Sequence, residues 1–436
     1  MKFSLLSAFV SVIFATTNAM SGNALPEITD FDAKVNTSAN QLIVTYNLVD
    51  ADDDKIKISL RIFDNQHNFI TASESSATGD VGFPVVPGVN KRIVWTYPDS
   101  LNISEYRLKL IADDLYKIDP QEIVDQVNKE RMSKQINHVY GIRAHDKGKS
   151  LIRLIEVRDY LASTFLKNEV FTYRQKAPVD KYNIENIIGI HEGNYDEKKT
   201  FILSAHYDSE TKGPGADDNA SGVLGLLEVM NVLSKYDFDR TIKFIAFDGE
   251  EIGHLGSKLY VRGATHIKEQ IEGVINFDMI GFYSNEPNTQ RIPFGYNRLF
   301  PAIVEYVIND DLRGNFVLNT ANTNSSSLGE AFANNAGKYA KDLKVVSLVT
   351  KEHGQLTPQL AASDHLQFWR GDFKAIHIGD GGATRNKNLD TKNDVLNTLN
   401  YDFMTSIIKA TVATLVDLAG VRHCSSVEGD LQVISN

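Results

Sequence analysis

The stretch that decides the fold is TFILSAHYDSETKGPGADDNASGVLGLLEVMNVL, which runs from Thr200 to Leu233. It opens with a short apolar run, Phe201–Ala205, of the kind that forms strands buried on both faces. A polar loop rich in Gly and Asp follows. Apolar residues then recur at helical spacing: Val223, Leu226, Leu227, Met230 and Leu233. A strand, a loop and a helix in this order predict an α/β domain.

Four more apolar runs repeat the pattern of the first: Thr241–Phe247, Gly273–Phe277, Val345–Val349 and Ala375–Ile378. Each is short and continuous, so each predicts a buried strand. Upstream, Asp119-Pro120 predicts the start of a helix, with Asp119 as its cap and Glu122 in a capping box. We therefore predict an α/β domain over residues 115–422, with a mostly parallel central sheet flanked by helices.

Before this domain the hydrophobic pattern changes to a period of two. Ile56, Ile58, Leu60 and Ile62 alternate with polar residues, as in a half-buried strand. Similar alternation begins at Leu42 and at Tyr106, and turn-forming residues lie between these segments. The pattern predicts a small all-β sandwich domain over residues 25–114, whose partner the sequence does not indicate. Residues 423–436 are expected to form a C-terminal tail.

The first 24 residues have the composition of an export signal. Lys2 is followed by an apolar run from Phe3 to Ala15 and then by small residues that suit a signal peptidase. The run is shorter than the about 20 residues that span a bilayer. We expect residues 1–24 to be a signal peptide, and the mature protein to be periplasmic or secreted without a membrane span.

The composition excludes several classes of function. The chain has 45 Lys and Arg against 56 Asp and Glu, a net charge of −11, so it lacks the basic surplus that binds nucleic acid. Cys424 is the single cysteine, which excludes an intrachain disulfide and a metal site built from cysteines. The chemistry is therefore expected from carboxylates, imidazoles and hydroxyls.

Acidic residues and a histidine follow the predicted strands at their carboxyl ends. In open α/β sheets these ends form the ligand sites, so the side chains are expected to lie close together. Their like charges repel unless cations neutralise them, and oxygen ligands with an imidazole suit a divalent ion such as zinc. The residues are His206, Asp208, Asp217, Asp218, Asp248, Glu250, Glu251 and Asp278.

Four segments resemble the co-catalytic zinc aminopeptidases, a family of the bacterial leucyl aminopeptidase and aminopeptidase Y type that is related to glutamate carboxypeptidase and glutaminyl cyclase. They are HYDS (His206–Ser209), GADDNASG (Gly215–Gly222), DGEEIGHLGS (Asp248–Ser257) and NFDMIG (Asn276–Gly281). The resemblance covers roughly Gln121 to Leu418. It implies a zinc-exopeptidase fold, two divalent metal ions, most simply Zn²⁺, and peptide substrates with a free N-terminus.

The resemblance also implies which residues hold the metal ions. His206 and Asp278 would hold one zinc ion, Glu251 would hold the second, and Asp217 would bridge the two. Asp390 stands where the family has its last zinc-binding histidine. An aspartate can replace that ligand, and its harder oxygen would favour Mn²⁺ or Co²⁺ at the second site.

Other residues acquire roles through the same resemblance. Glu250 would be the general base that takes a proton from the attacking water. Asp208 and Asp218 would lie behind the ligands, where Asp208 orients the ring of His206. The family further implies a cis peptide bond between Asp217 and Asp218.

Alternatives stay open at the second metal site. His377 or His365 would supply the missing imidazole if Asp390 does not bind. Alternatively, the second site has decayed and the protein is a one-metal or inactive relative. Ser363-Asp364-His365 matches a family segment that would line the cleft. His254 and His266 are expected to be structural or exposed to solvent.

We therefore predict a metal-dependent aminopeptidase that hydrolyses N-terminal residues from peptides. Two other functions compete with it. One is a glutaminyl cyclase-like enzyme with a single zinc ion. The other is a binding protein without catalysis, in which the sandwich domain would be the working part.

Overall fold

The computed structural model describes residues 23–434, except residues 53, 65–68, 72–75 and 104–105. Residues 1–22, which make up most of the predicted signal peptide, lie outside the described residues. Among the helices of the described part, none combines the length and the apolar character needed to cross a membrane. The chain divides into two units, which we call the sandwich unit (Met1–Tyr116 with His423–Asn436) and the central-sheet unit (Lys117–Arg422).

The secondary-structure elements are numbered along the chain. The strands are β1 (Glu27–Asn36), β2 (Gln41–Val49), β3 (Ile56–Asp64), β4 (Phe69–Thr71), β5 (Ala77–Gly79), β6 (Gly82–Val85), β7 (Gly88–Thr96), β8 (Tyr106–Asp113), β9 (Phe171–Val179), β10 (Tyr182–His191), β11 (Asp196–His206), β12 (Asp237–Phe238), β13 (Arg240–Phe247), β14 (Gln270–Phe277), β15 (Val317–Asn322), β16 (Val345–Thr350), β17 (Ala375–Gly379), β18 (Val421–Arg422), β19 (Cys424–Asp430) and β20 (Gln432–Ile434). The helices are α1 (Pro120–Val124), α2 (Lys129–Val139), α3 (Lys149–Lys167), α4 (Gly222–Leu233), α5 (Leu255–Ile267), α6 (Tyr296–Leu299), α7 (Pro301–Asn309), α8 (Ser326–Tyr339), α9 (His365–Arg370) and α10 (Tyr401–Ala419).

The sandwich unit consists of two sheets that share one hydrophobic core. One sheet has the strand order β20-β1-β2-β7-β5, and the other has the order β19-β8-β3-β4, with β6 also paired to β3. Leu42 and Val44 of β2 lie in the same buried cluster as Leu60 of β3 and Leu108 of β8. Burial alternates along β2, as the period-two pattern requires.

The last residues of the chain belong to the sandwich unit and do not form the tail that the sequence suggested. β19 pairs antiparallel with β8 along Cys424–Asp430, and β20 pairs parallel with β1. These pairings give hydrogen-bond partners to two strands whose edges would otherwise be open. The sequence of β19, CSSVEGD, has too few apolar residues to predict a strand.

The central-sheet unit contains a mixed sheet with the strand order β16-β15-β17-β14-β11-β13-β10-β9. Its middle strands, β17, β14, β11 and β13, are parallel to one another. β10 and β9 are antiparallel additions at one side, and β15 runs antiparallel to β17 at the other. The five predicted strands are confirmed as β11, β13, β14, β16 and β17. The parallel middle places the carboxyl ends of four strands at one edge.

The helices cover both faces of this sheet, and two of them were predicted. α1 begins at Pro120, and Asp119 caps it by accepting a hydrogen bond from the Gln121 N–H at 3.0 Å. α4 occupies the predicted helical segment, but all of its residues except Asn231 are buried. The helix therefore has no face exposed to solvent, because it packs against β11 and also against α2 and α10.

Candidate metal centre

Neighbouring strand ends bring most of the predicted site residues together. His206 is the last residue of β11, Asp278 follows β14, and Glu250 and Glu251 follow β13 after a short turn. Within the described residues, three groups of potential ligand atoms lie within 4.8 Å of one another. They are His206 with Asp218 and Asp278, His206 with Glu250 and Glu251, and Asp218 with Glu251 and Asp390.

The imidazole of His206 has the geometry of a metal ligand. Its Nε2 atom lies 3.3 Å from Asp218 Oδ1 and 3.5 Å from Asp278 Oδ1. The side chain is 1% exposed, and neither ring nitrogen has a hydrogen-bond partner among the described residues. A buried imidazole nitrogen that faces two carboxylate oxygens fits a divalent ion held among the three side chains.

Asp208 connects this histidine to the glutamate pair. Its Oδ1 atom lies 3.4 Å from His206 Nδ1. The same carboxylate accepts hydrogen bonds from the backbone N–H groups of Glu250 and Glu251, both at 3.1 Å. One buried carboxylate therefore fixes the turn after β13 relative to the end of β11.

The two adjacent aspartates exchange their expected positions: Asp218 lies at the ligand groups, and Asp217 lies outside them. Asp218 faces His206 and belongs to two of the ligand groups, whereas Asp217 belongs to none of the three. The Asp217 carboxylate accepts hydrogen bonds from Gly281 N–H at 2.9 Å and from Asn386 Nδ2 at 2.7 Å. The expectation that Asp217 bridges two metal ions is wrong in this structure. Successive side chains leave the backbone in different directions, so only one of the two faces the cluster.

Asp394 holds the turn that carries these aspartates. Its carboxylate accepts hydrogen bonds from the N–H groups of Asp217 and Asp218 at 2.9 and 3.1 Å. The cis peptide bond lies between Asp218 and Asn219, one residue beyond the predicted Asp217–Asp218 bond. Sequence reasoning gave Asp394 no role, because its partner Asp217 is 177 positions away.

The structure places Asp390 with Asp218 and Glu251, at the position expected from its alignment with the family's histidine. Asp390 is exposed and has a left-handed backbone conformation, with φ 55°. Neither His365 nor His377 belongs to the three groups of ligand atoms in the described part of the chain. Their rings stack on each other with centroids 5.1 Å apart, and His365 Nε2 lies 2.9 Å from the Leu360 carbonyl oxygen.

Crowding of the acids shifts their protonation. Burial, together with the neighbouring Asp278, raises the pKa of Asp218 to about 7. Burial and the nearby Asp218 raise the pKa of Glu251 to about 11, and burial raises the pKa of Glu250 well above its usual value. For Asp278, burial is outweighed by the adjacent His206, which lowers the pKa of this carboxyl. Divalent cations stabilise the charged form of such acids and displace their protons.

His254 contacts Glu250, which sequence reasoning did not predict. His254 Nε2 lies 3.0 Å from Glu250 Oε1. The contact depends on a sharp turn, since His254 has a positive φ of 55° and immediately precedes α5. The spacing of four positions between Glu250 and His254 does not predict this contact unless the conformation of the turn is known. His266, by contrast, lies exposed on α5.

Arg143 is a buried cation that ties together the loop between His206 and Asp218. Its guanidinium donates hydrogen bonds to the carbonyl oxygens of Tyr207 at 2.8 Å and Pro214 at 3.0 Å. Its side chain is 0% exposed. The loop that Arg143 holds could not be foreseen from the sequence, because the partners Tyr207 and Pro214 lie more than 60 positions away.

A cavity of about 350 Å³ opens beside the ligand groups. Its acidic end contains Asp218, Glu250, Glu251, Asp278 and Asp390. The remaining wall is mainly apolar and comes from α6, α7, β15, β16 and the loops around them, with Gln290, Arg291, Gln359 and Thr384 among its polar residues. It includes Ile292, Tyr296, Phe300, Ile303, Val304, Val307, Phe316, Leu318, Val346, Leu348 and Leu360.

Comparisons with known sequences agree with this geometry. The protein YfbL of Escherichia coli (strain K12) is 27% identical over 307 residues, which cover 66% of this chain and 87% of YfbL. Aminopeptidase YwaD of Bacillus subtilis is 43% identical over 100 residues, 22% of each chain. A probable zinc metalloprotease of Pyrenophora tritici-repentis is 26% identical over 255 residues, which cover 54% of this chain and about half (52%) of that protein.

Solved structures share the fold over more than two thirds of this chain. The Legionella pneumophila LapA aminopeptidase superposes with a TM-score of 0.53 and 20% identity, covering 70% of this chain and 74% of that chain. The glutaminyl cyclase of Macrostomum lignano gives the same TM-score of 0.53 with 17% identity, covering 70% of this chain and 93% of that chain. At these identities the likeness concerns the fold alone.

The family profile described as peptidase family M28 matches residues 186–415. The match includes β11, β13, β14 and β17 and all the residues of the three ligand groups. It spans more than half of the chain. The α/β fold, the acidic strand ends and this match lead to one assignment: the chain belongs to peptidase family M28.

Proposed function

We propose that the chain is a metal-dependent aminopeptidase that removes N-terminal residues from peptides. The observation that carries the proposal is the His206 imidazole, whose Nε2 faces Asp218 and Asp278 without a hydrogen bond in the described residues. Glu250 lies beside it at the acidic end of an apolar cavity. The similarity to a protein named aminopeptidase YwaD supports cleavage at the N-terminal end of the peptide.

We propose that two divalent ions occupy the cluster, with Asp218 shared between them. His206 and Asp278 would complete one site, and Glu251 and Asp390 would complete the other. The imidazole suits zinc at the first site, whereas the second site offers oxygen ligands only and suits a harder ion such as Mn²⁺. Bound ions would polarise the scissile carbonyl and acidify the attacking water.

Glu250 is the residue placed to move protons during hydrolysis. It is 9% exposed, and its carboxylate lines the cavity next to His206. We propose that this carboxylate takes a proton from the attacking water and delivers it to the amine that leaves when the peptide C–N bond breaks. Asp208 holds the Glu250 backbone and His254 contacts its Oε1 atom, so both restrict the position of the carboxylate.

The acidic end of the cavity would hold the substrate's ammonium group, because its five acids outnumber the charges of two dications. The apolar wall would take the side chain of the first residue. These features support cleavage at the N-terminus. The central-sheet unit would be the catalytic part and the sandwich unit an accessory part with a partner still to be found.

The activity can be tested with the purified protein. We expect hydrolysis of aminoacyl p-nitroanilides that a chelator abolishes and added zinc restores, because the carboxylates and His206 need cations to hold them in the charged, ligating form. The matched control is the same substrate with an acetylated amino group, which an aminopeptidase should leave intact. Metal-loaded protein without turnover on any aminoacyl substrate would favour the binding relative. Cyclisation of N-terminal glutamine without hydrolysis would favour the cyclase.

Asp390 can be tested by counting bound metal. We expect Asp390→Ala to lose the second ion while retaining the first, and Asp390→His to shift the second site from manganese towards zinc. Metal analysis after dialysis against equal zinc and manganese measures both effects. His377→Ala is the control and should keep both ions. Retention of two ions in Asp390→Ala together with loss of one in His377→Ala would transfer the role to the histidine.

We also propose that the protein is exported, on the basis of the apolar run after Lys2 and the small residues that follow it. The proposal concerns residues that the structure does not describe. Amino-terminal sequencing of protein recovered from the native cells would test it, since export predicts a mature chain that begins after residue 24.

A further inference from the structure

Two buried hydroxyl groups line the cavity away from its acidic residues. They belong to Tyr296 and Thr320, whose side chains are 7% and 1% exposed. Neither the Tyr296 hydroxyl nor Thr320 Oγ1 has a hydrogen-bond partner among the described residues. A buried hydroxyl without a partner is unfavourable, so the pair calls for a ligand group that can both donate and accept.

Thr320 lines the cavity from a strand of the central sheet. In β15 it lies opposite His377 of β17 on one side and Leu348 of β16 on the other. Leu318, two residues earlier, lines the same surface. β17 lies between β15 and β14, the strand that Asp278 follows. Thr320 is therefore two strand spacings, about 10 Å, from the strand that carries this metal-site residue.

Tyr296 reaches the cavity from a helix and packs in one cluster with Leu348 of β16. It is the first residue of α6, and its ring packs edge-on against Phe300 with centroids 5.3 Å apart. Ile303 and Val304 of α7 line the cavity as well. Burial raises the pKa of Tyr296 to about 12, so its hydroxyl keeps its proton and is a neutral donor and acceptor.

The charges of the lining limit what enters the cavity. Its acidic residues all belong to the metal end, and the lining also includes the cation Arg291, so a lysine or arginine side chain would lack a counterion near Tyr296 and Thr320. A purely apolar side chain, such as leucine, would fill the space but leave both hydroxyls unpaired. A side chain with an apolar body and a hydroxyl at its far end satisfies the walls and the two polar atoms together.

We propose that the cavity selects N-terminal tyrosine, with the phenol oxygen hydrogen-bonded by the hydroxyls of Tyr296 and Thr320. The aromatic ring of the substrate would pack against apolar and aromatic wall residues such as Phe300 and Phe316. This inference rests on the aminopeptidase function proposed above. A site built to hydrogen-bond a substrate hydroxyl rejects the analogue that lacks it, because its own polar groups then remain unpaired.

The test compares tyrosyl, phenylalanyl, leucyl and glutaminyl p-nitroanilides with the metal-loaded, full-length protein. We expect kcat/KM for the tyrosyl substrate to exceed that for the phenylalanyl substrate by about tenfold to a hundredfold. Tyr296→Phe and Thr320→Val preserve shape and should each reduce this ratio towards one. Tyr306→Phe is the matched control, since Tyr306 of α7 is 47% exposed and does not line the cavity. It should leave the ratio unchanged.

Equal kcat/KM for the tyrosyl and phenylalanyl substrates would overturn the inference and leave the aminopeptidase function standing. A ratio that survives both Tyr296→Phe and Thr320→Val would overturn it as well. If no aminoacyl substrate is hydrolysed, the proposed function fails. Calorimetry with tyrosinamide and phenylalaninamide then tests the selectivity of the cavity separately. Tighter binding of tyrosinamide that Tyr296→Phe removes would support the inference, and equal affinities would overturn it.

Discussion

Replacing Glu250 by glutamine is expected to lower kcat by about 100- to 10,000-fold, the usual contribution of a general base. Glutamine has nearly the same shape but does not accept the proton of the attacking water. The bound metal ions should stay in place, because His206, Asp218 and Asp278 remain. Steady-state kinetics on an aminoacyl p-nitroanilide and metal analysis of the same sample measure the two effects.

Metal analysis is decisive here because Glu250 also belongs to one of the three ligand groups, with His206 and Glu251. Loss of a metal ion in step with activity would identify Glu250 as a ligand and contradict its role as the base. Glu272→Gln is a suitable control, since Glu272 is exposed on β14. It should change neither the rate nor the metal content.

The second large effect concerns the adjacent aspartates. Asp218→Asn is expected to weaken the binding of both metal ions, because this carboxylate takes part in two ligand groups. The loss of metal affinity should exceed the about 10- to 100-fold that follows removal of an outer partner of a ligand, and activity should disappear with the ions. A competition titration with a coloured chelator measures the affinity.

Asp217→Asn is the matched control for this substitution. Its carboxylate bonds to Gly281 N–H and Asn386 Nδ2 and faces none of the ligand groups in the described residues. The variant should keep its metal ions and lose about 1–3 kcal/mol of unfolding free energy, because one of these two buried donors loses its acceptor and faces an amide NH2 group instead. If Asp217→Asn loses both ions and Asp218→Asn keeps them, the assignment from the sequence resemblance is restored.

The sequence predicted the main strands and the acidic residues and histidine at their ends, because both leave a local signal. β11, β13 and β14 appear as short apolar runs, and His206, Glu251 and Asp278 follow them directly or after a short turn. Since the carboxyl ends of parallel strands meet at one edge, local sequence was sufficient to place these residues near one another.

The choice between Asp217 and Asp218 needed contacts distant in the chain. The turn that directs Asp218 towards His206 is held by Asp394, and the carboxylate of Asp217 is held by Gly281 and Asn386. No pattern within the segment GADDNASG records these partners. The resemblance pointed to Asp217, whereas the structure directs the neighbouring Asp218 towards the ligand groups.

The residues that form the cavity wall could not be predicted from the sequence, for a similar reason. Tyr296 comes from α6, Thr320 from β15 and Leu348 from β16, which are separate segments of the chain. A single apolar or hydroxyl residue in a strand is compatible with any buried surface. Only the register of β15 between β16 and β17 puts Thr320 opposite His377 and Leu348, two residues that also line the cavity.

The pairing of β19 with β8 has a consequence for the order of events during synthesis. Arg107 of β8 and Asp430 of β19 are hydrogen-bonded partners 323 positions apart. β8 therefore leaves the ribosome long before its neighbour exists, and its hydrogen-bonding edge stays open while the peptidase segment is made. An open edge recruits other strands, so the growing chain is most exposed to mispairing in this interval. Synthesis of β19 closes that edge.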